Sequence, residues 1–226
     1  MPANARRIPR PTAQRLSLYL RELPPLIAQG QTTIRSQVLG EKLGVTSAQV
    51  RKDLAWVAQS RQAGEVGRAG VGYNCLKLYE AIRRVVGTNR RWSIALVGVG
   101  NIGRALLGYG GFEQGGFPIT VIFDSDDRMV GKRIGGRVVA PMSALRRMIR
   151  SRHIAIAIIA VPRSAAQTVA NQLCDAEIKG ILNFAPTRVS VAKGVSVTNI
   201  DMTVAFEQLS MDISIQESIA AEEDGA

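Results

Sequence analysis

Three glycines, Gly98, Gly100 and Gly103, follow directly on the apolar run Ile94 to Val97, with Val99, Asn101 and Ile102 spaced between them. A strand that empties into such a loop and a helix that opens behind it are suited to a pyrophosphate. The first glycine allows the turn, the second lets backbone N–H groups approach the phosphates, and the third lets the helix pack closely on the sheet. The start of the helix adds a favourable dipole for negative charge. Asp124 lies 21 residues beyond Gly103, at the end of the next apolar run. A carboxylate there can accept both hydroxyls of an adenosine ribose and repels a 2′-phosphate, so the pattern favours NAD(H) over NADP(H). Arg128 could swing toward such a phosphate but reads more simply as part of a solvated loop.

Residues able to carry out catalysis are missing from this pattern. The chain has one histidine, His153, and two cysteines, Cys75 and Cys174, which stand 99 positions apart. That spacing suggests neither a metal site nor a disulfide framework. Both cysteines read as small buried hydrophobes, a redox role for Cys75 being the alternative, and His153 reads as a loop or strand-edge residue. Tyr73 and Lys77 have the Tyr-x-x-x-Lys spacing of some dehydrogenases but precede the glycine loop, where no nicotinamide should reach. The expectation is therefore a bound dinucleotide that acts as a signal, in a protein that is not an enzyme.

A second set of residues points to nucleic acid. Residues 1–91 hold 16 Lys/Arg against 5 Asp/Glu, whereas residues 92–226 hold 13 against 13. A cationic balance confined to one segment is the footprint of a nucleic-acid module, because neutralising phosphates releases their counterions. Inside that segment Ser36 to Leu43 and Ser47 to Leu54 read as two helices joined at Gly44-Val45-Thr46. This is the helix-turn-helix pattern. Leu39, Leu43 and Val45 meet Val50, Leu54 and Val57, and Thr46 or Ser47 caps the second helix. The same periodicity presents Ser47, Gln49, Arg51 and Lys52 to a duplex. Gly64, Gly67, Gly70 and Gly72 then frame Arg68 and Tyr73, a glycine-rich basic stretch that reads as a wing.

The elements that must position these residues follow from periodicity. Residues 1–11, with Arg6, Arg7 and Arg10, read as a flexible basic arm. Thr12 starts a helix with Leu16, Leu20, Leu23 and Ile27 on its apolar face, which Pro24-Pro25 should bend or interrupt before Gly30. Leu76 to Val86 is helical. From Trp92 onward strands at 94–97, 119–123, 154–161, 180–184 and 195–200 alternate with helices at 101–109, 143–150 and 164–176, which predicts a parallel sheet covered on both faces. A last helix, Met202 to about Ile215, presents an apolar face of Val204, Phe206, Leu209, Met211 and Ile213 with no partner in its own domain. The acidic stretch Glu222 to Asp224 reads as disordered. The expected organisation is α/β: a winged helix-turn-helix domain over 1–88, a Rossmann domain over 89–201, and a C-terminal helix and tail over 202–226. The longest apolar run is too short to span a bilayer and the first residues are too polar for a secretory signal, so a cytoplasmic protein is expected, with neither membrane nor metal among its partners.

Several segments together resemble the Rex family of bacterial redox-sensing repressors over nearly the whole chain. They are Gln49-Val-Arg-Lys-Asp-Leu54, Gly70-Val-Gly-Tyr73, the glycine loop with Tyr109-Gly-Gly-Phe112, Phe123-Asp-Ser-Asp126, Val161-Pro162 with Ala165-Ala-Gln167, and Gly180-Ile-Leu-Asn-Phe-Ala-Pro186. The resemblance implies a homodimer with exchanged C-terminal helices that binds a palindromic operator when NADH is scarce and releases it when NADH rises, with targets in respiration and fermentation. It places NAD(H) against the glycine loop, Asp124, Ser125, Val161, Pro162, Asn183, Phe184, Ala185 and Pro186, with Met202 reaching the nicotinamide from the other subunit. It makes Arg21, Tyr109 and Asp201 a switch network. An apolar pocket at Phe184, Pro186 and Met202 would bury the uncharged reduced ring at lower cost than the cationic oxidised one. One departure stands out. Ala55 to Ala69 is longer than in relatives, reads Trp56-Val57-Ala58 and carries extra glycines, which bears on the operator sequence. Two other readings of the same residues are an NAD-dependent oxidoreductase with a basic accessory domain, and a DNA-binding regulator of another adenine-containing ligand such as coenzyme A.

Overall fold

A computed structural model of the chain describes residues 8–60, 66–68 and 70–224. Arg6 and Arg7 of the expected arm, Gly64, and most of the long segment between the recognition helix and the wing lie outside the described residues. The chain divides into two compact units, Met1–Arg90 and Arg91–Ala226.

The first unit begins with α1 (Arg10–Ala28), which buries Leu16, Tyr19, Leu23 and Leu26. The spacing of 3, 4 and 3 keeps these four side chains on one stripe. Leu20 and Ile27, expected on the apolar face with Leu16 and Leu23, are only partly buried against this core. Pro24 and Pro25 do not interrupt the helix. Both are exposed and lie in its last two turns, where water can serve the carbonyls that lose their N–H partners.

After β1 (Thr33–Ile34), α2 (Ser36–Leu43) ends on Gly44 in the left-handed conformation, φ 65°. α3 (Ser47–Ala58) starts at Thr46, whose Oγ1 accepts from the Gln49 N–H at 3.1 Å. Buried Gly40 sets the closeness of the turn, since a Cβ there would run into the Val45 carbonyl. The wing is β2 (Gly67–Arg68) paired antiparallel with β3 (Gly72–Asn74), and β3 also pairs with β1 to complete a three-stranded sheet. Two residues have no periodicity, so β1 left no trace in the sequence pattern. α4 (Cys75–Val86) is capped by Asn74, which accepts from Lys77 N–H at 2.9 Å, and stops at Gly87, φ 79°.

The second unit is a seven-stranded sheet in the order β10-β9-β8-β4-β5-β7-β6. Its strands are β4 (Ile94–Val97), β5 (Ile119–Asp124), β6 (Arg133–Ile134), β7 (Arg137–Pro141), β8 (Ile156–Ile159), β9 (Gly180–Asn183) and β10 (Ser196–Asn199), all parallel except the edge strand β6. The helices are α5 (Asn101–Gly108), α6 (Gly111–Gln114), α7 (Leu145–Ser151) and α8 (Arg163–Asp175). Taken by first appearance, the six parallel strands follow the 3-2-1-4-5-6 order of a doubly wound nucleotide-binding sheet. The crossing from β5 to β7 has no helix. It runs through the β6–β7 hairpin, whose turn residues Gly135 and Gly136 both have positive φ. Sequence periodicity overlooked this hairpin because Arg133 to Arg137 carries only one apolar residue.

α9 (Met202–Asp224) continues well past the expected end at Ile215 and includes the acidic stretch. Alanine and glutamate near its end are strong helix formers. Residues 202–219 are all exposed, among them Met202, Phe206, Leu209, Met211, Ile213, Ile215 and Ile219. At spacings of mostly two and three these do not gather on one face, as expected from sequence, but surround the helix. Exposed apolar side chains spread round a helix among polar ones can be covered only by contacts on more than one side.

Candidate functional site

The glycine loop crosses the end of β4, between β5 and β8, where the sheet's connections turn from one direction to the other. Open α/β sheets bind their ligands at this point. Each glycine fits the expected role. Gly98 has φ 96°, and a Cβ on it would collide with the Ala160 carbonyl; one on Gly103 would collide with the Gly98 carbonyl; Gly100 faces open space. The loop is therefore packed tightly against its own sheet and open toward a ligand. A cleft of about 480 Å³ begins there, lined by Gly98 to Gly100, Asp124, Ser125, Val161 and Pro162, with Met142 and Val169 as apolar wall. Asn101 and Ile102 are exposed on the first turn of α5.

Asp124 sits at the end of β5 as expected and holds the loop in place. Its Oδ2 accepts from Val99 N–H at 2.8 Å and its Oδ1 from Asp126 N–H at 2.9 Å. A carboxylate has about four acceptor positions, so two remain for ribose hydroxyls. The next peptide of the loop is held by Arg104, whose Nε donates to the Val99 carbonyl at 2.9 Å. Arg104 also lines the cleft and was not singled out from sequence, where it reads as an ordinary charge on a helix. Arg128 does not reach toward a ribose. It pairs with Asp126 at 2.9 Å and is 87% exposed, and that hydrogen-bonded pairing holds the Asp126 carboxyl below the usual range.

Asn183 is held from within the chain. Its side chain is fully buried and satisfied within the chain: Nδ2 donates to the Thr187 carbonyl at 2.7 Å and to Asn199 Oδ1 at 2.9 Å, and Oδ1 accepts from Ala185 N–H at 3.1 Å. It ties β9 to β10 and shapes the turn after β9. Phe184 is half-buried, Ala185 buried and Pro186 exposed at the same strand end. Met202 is 66% exposed on α9. Of the three proposed switch residues, Arg21 is exposed on α1, Tyr109 follows α5 with its ring edge-on to Phe112 at 5.0 Å, and Asp201 caps α9 by accepting from Thr203 N–H at 3.0 Å.

In the first unit Arg51, Lys52 and Arg68 are exposed and Ser47 is half-exposed. Arg51 Nη1 donates to Ser36 Oγ at 3.3 Å. A cleft of about 520 Å³ opens between the start of α2, the start of α3 and the wing, lined by Arg35, Ser36, Ser47, Arg51, Arg68 and Tyr73 among others. Three guanidinium groups around one opening give it the positive charge that suits a duplex. Cys75 is buried, and that burial pushes its thiol pKa up, which argues against the redox role left open for it.

Gln49 is corrected. It is half-buried rather than displayed, and its Nε2 donates to Asp53 Oδ1 at 3.0 Å. Asp53 itself is fully buried and accepts from three residues besides. Arg15 grips it with two bonds of 2.6 and 2.7 Å, Tyr19 Oη donates at 2.9 Å, and Thr12 Oγ1 at 3.2 Å. Burial alone would raise the Asp53 carboxyl, yet the bonds from Arg15, Tyr19 and Gln49 outweigh it and leave the carboxyl below its ordinary value. Burial, reinforced by Asp53, pushes the Tyr19 phenol up.

Comparison with known proteins agrees with this division of the chain. Residues 7–55 match the family described as putative DNA-binding protein N-terminus, and residues 89–187 match the CoA binding domain family. The redox-sensing transcriptional repressor Rex of Carboxydothermus hydrogenoformans is 44% identical over 207 residues, covering 92% of this chain and 97% of that protein. The crystal structure of RSP in complex with β-NAD⁺ and operator DNA is 30% identical with a TM-score of 0.85, covering 96% of this chain and 97% of that one. RSP in complex with β-NADH is likewise 30% identical, with a TM-score of 0.80 and coverage of 94% and 97%. With identity at this level sustained through both the winged helix and the nucleotide-binding sheet, the chain belongs to the Rex family of redox-sensing transcriptional repressors.

Proposed function

We propose that this protein is a bacterial, cytoplasmic transcriptional repressor that binds a palindromic operator when NADH is low and releases it when NADH binds. The observation that carries this reading is the union of two sites in one chain. A glycine loop with Asp124 at a topological switch point suits NAD(H), and a cationic helix-turn-helix with a wing suits duplex DNA. Its relatives are redox-sensing transcriptional repressors, and by that likeness the dinucleotide serves here as a regulatory ligand. The working units are the winged helix over 1–88, the nucleotide-binding domain over 89–201, and the C-terminal helix and tail over 202–226.

The loop from Gly98 to Gly103 would cradle the pyrophosphate, Asp124 with Ser125 would take the adenosine ribose, and Val161 and Pro162 would flank the dinucleotide. Phe184, Ala185 and Pro186 would meet the nicotinamide end. An apolar surround accepts the neutral reduced ring more readily than the cationic oxidised one, which makes redox state readable as affinity. Ser47, Arg51, Lys52 and Arg68 would face the duplex.

The protein would act as a homodimer. α9 has apolar side chains on all sides, with residues 202–219 exposed. On the sheet, Ile94, Ile156, Ile158 and Leu182, with Phe112 and Phe117, line an almost wholly apolar cleft of about 330 Å³. Exchange of α9 between two copies would cover such surfaces, and the Arg21, Tyr109 and Asp201 network would then join the ligand state to the winged helix.

Calorimetry with NADH, NAD⁺, NADPH and coenzyme A tests the ligand assignment. NADH should bind most tightly and NADPH and coenzyme A weakly, because Asp124 and Asp126 repel a phosphate on the adenosine ribose. Tighter binding of coenzyme A or NADPH would contradict the assignment, and steady turnover of NADH with any substrate would favour an oxidoreductase.

A further inference from the structure

The buried carboxylate of Asp53 lies on the recognition helix, one turn beyond Gln49 and on the side away from Arg51 and Lys52. Its partners come from two helices. Thr12, Arg15 and Tyr19 belong to α1, and Gln49 to α3 itself. A carboxylate shut away from water needs its acceptor positions filled, and five hydrogen bonds from four side chains do so. The cluster thus fixes how α3 is rotated and seated on α1.

That arrangement has a consequence for reading DNA. Base contacts in helix-turn-helix proteins come from the first turns of the recognition helix, where Gln49 sits. A glutamine reads adenine through its amide N–H and C=O together. Here the amide nitrogen is turned inward onto Asp53, and swinging it out to a base edge would break that bond. We infer that Asp53 and Gln49 are positioning residues for operator recognition, the carboxylate tying α3 to α1 and holding the Gln49 amide inward, so that base reading falls to Arg51 and Lys52. This rests on the DNA-binding reading above and adds a division of labour among residues on one helix.

The test uses the full-length protein and an operator selected from a random-sequence duplex pool. Affinities are measured by fluorescence anisotropy at one fixed salt concentration, for the operator, for a panel with each half-site base pair replaced singly, and for a random duplex. Gln49→Ala and Tyr19→Phe should weaken binding to every member of the operator panel by a common factor, about three- to tenfold from the loss of one hydrogen bond. Binding to the random duplex, NADH affinity and the active fraction from stoichiometric titration should not change. Lys52→Ala, in contrast, should flatten the preference at a particular base pair. The inference is overturned if Gln49→Ala abolishes the preference at one base pair, which would make it a reader, or if it leaves every affinity as it was. Should Tyr19→Phe lower the active fraction, Gln49→Ala decides alone. Failure of the wild-type protein to prefer any selected operator would overturn the DNA-binding reading itself, a different result from either.

Discussion

Asp124 has two tasks at once, since it anchors the glycine loop through Val99 N–H and keeps acceptor positions open toward the cleft. Asp124→Ala should therefore weaken NADH and NAD⁺ alike, by roughly tenfold or more if one charged hydrogen bond is lost, while operator affinity without dinucleotide stays near the wild-type value; an equal loss of both would point to misfolding. Asp53 predicts a pH response. Its carboxyl is held low, so its stabilisation is complete above its unfolded value and is lost as pH falls through the lower folded one, a window below about pH 4. The Tyr19 phenol is held high, so its contribution is complete below about pH 10 and lost further up. Thermal melts should accordingly show no change from this cluster between those limits, and Asp53→Asn should lower the melting temperature across the plateau while removing part of the acid response. Asp124 was legible in the sequence because its meaning is local: a fixed distance from a glycine loop and the end of an apolar run. Asp53 was not. Its partners on α1 lie 34 to 41 positions upstream, and a lone aspartate amid basic residues on a helix looks like a surface charge.

The recognition helix owes its start to Thr46, and Thr46→Ala should cost about 1 kcal/mol of first-unit stability in denaturant titration. Lys52→Ala removes an exposed cation from the same helix and should weaken operator binding in a gel shift; an unchanged affinity would take Lys52 off the recognition surface. Elements with a strong period were read well. α2, α4, β4 and α8 fall within a residue or two of their expected bounds and α3 starts where expected but runs four residues further, to Ala58, because each carries an apolar pattern that one conformation can bury. What failed was structure without a period. β1 exists because its partner β3 lies beside it, and the β6–β7 hairpin because two consecutive glycines can turn tightly. The proline pair in α1 misled for a related reason: a break there depends on whether its carbonyls can reach water, which the sequence does not state.

At the scale of the molecule, α9 carries the argument for a dimer. Phe206 is 71% exposed and Leu209 54%, on a helix that bears six acidic residues and no basic one. Phe206→Asp with Leu209→Asp should shift the protein toward monomer in sedimentation equilibrium and weaken binding to a two-half-site operator far more than to a single half-site. Two recognition helices must meet half-sites about 34–36 Å apart or a multiple of that distance, so a dinucleotide that alters their spacing can release the operator. To move the complex from almost all bound to almost all free, NADH must prefer the released conformation by about 10⁴-fold, near 5.5 kcal/mol, which two sites can share. The most direct test is fluorescence anisotropy of the preformed protein–operator complex as NADH is added, with NAD⁺ at equal concentration as the comparison. Anisotropy should fall to that of free duplex with NADH at concentrations where NAD⁺ leaves the complex intact. A signal unmoved by saturating NADH, or moved equally by both, would contradict the coupling on which the repressor account depends.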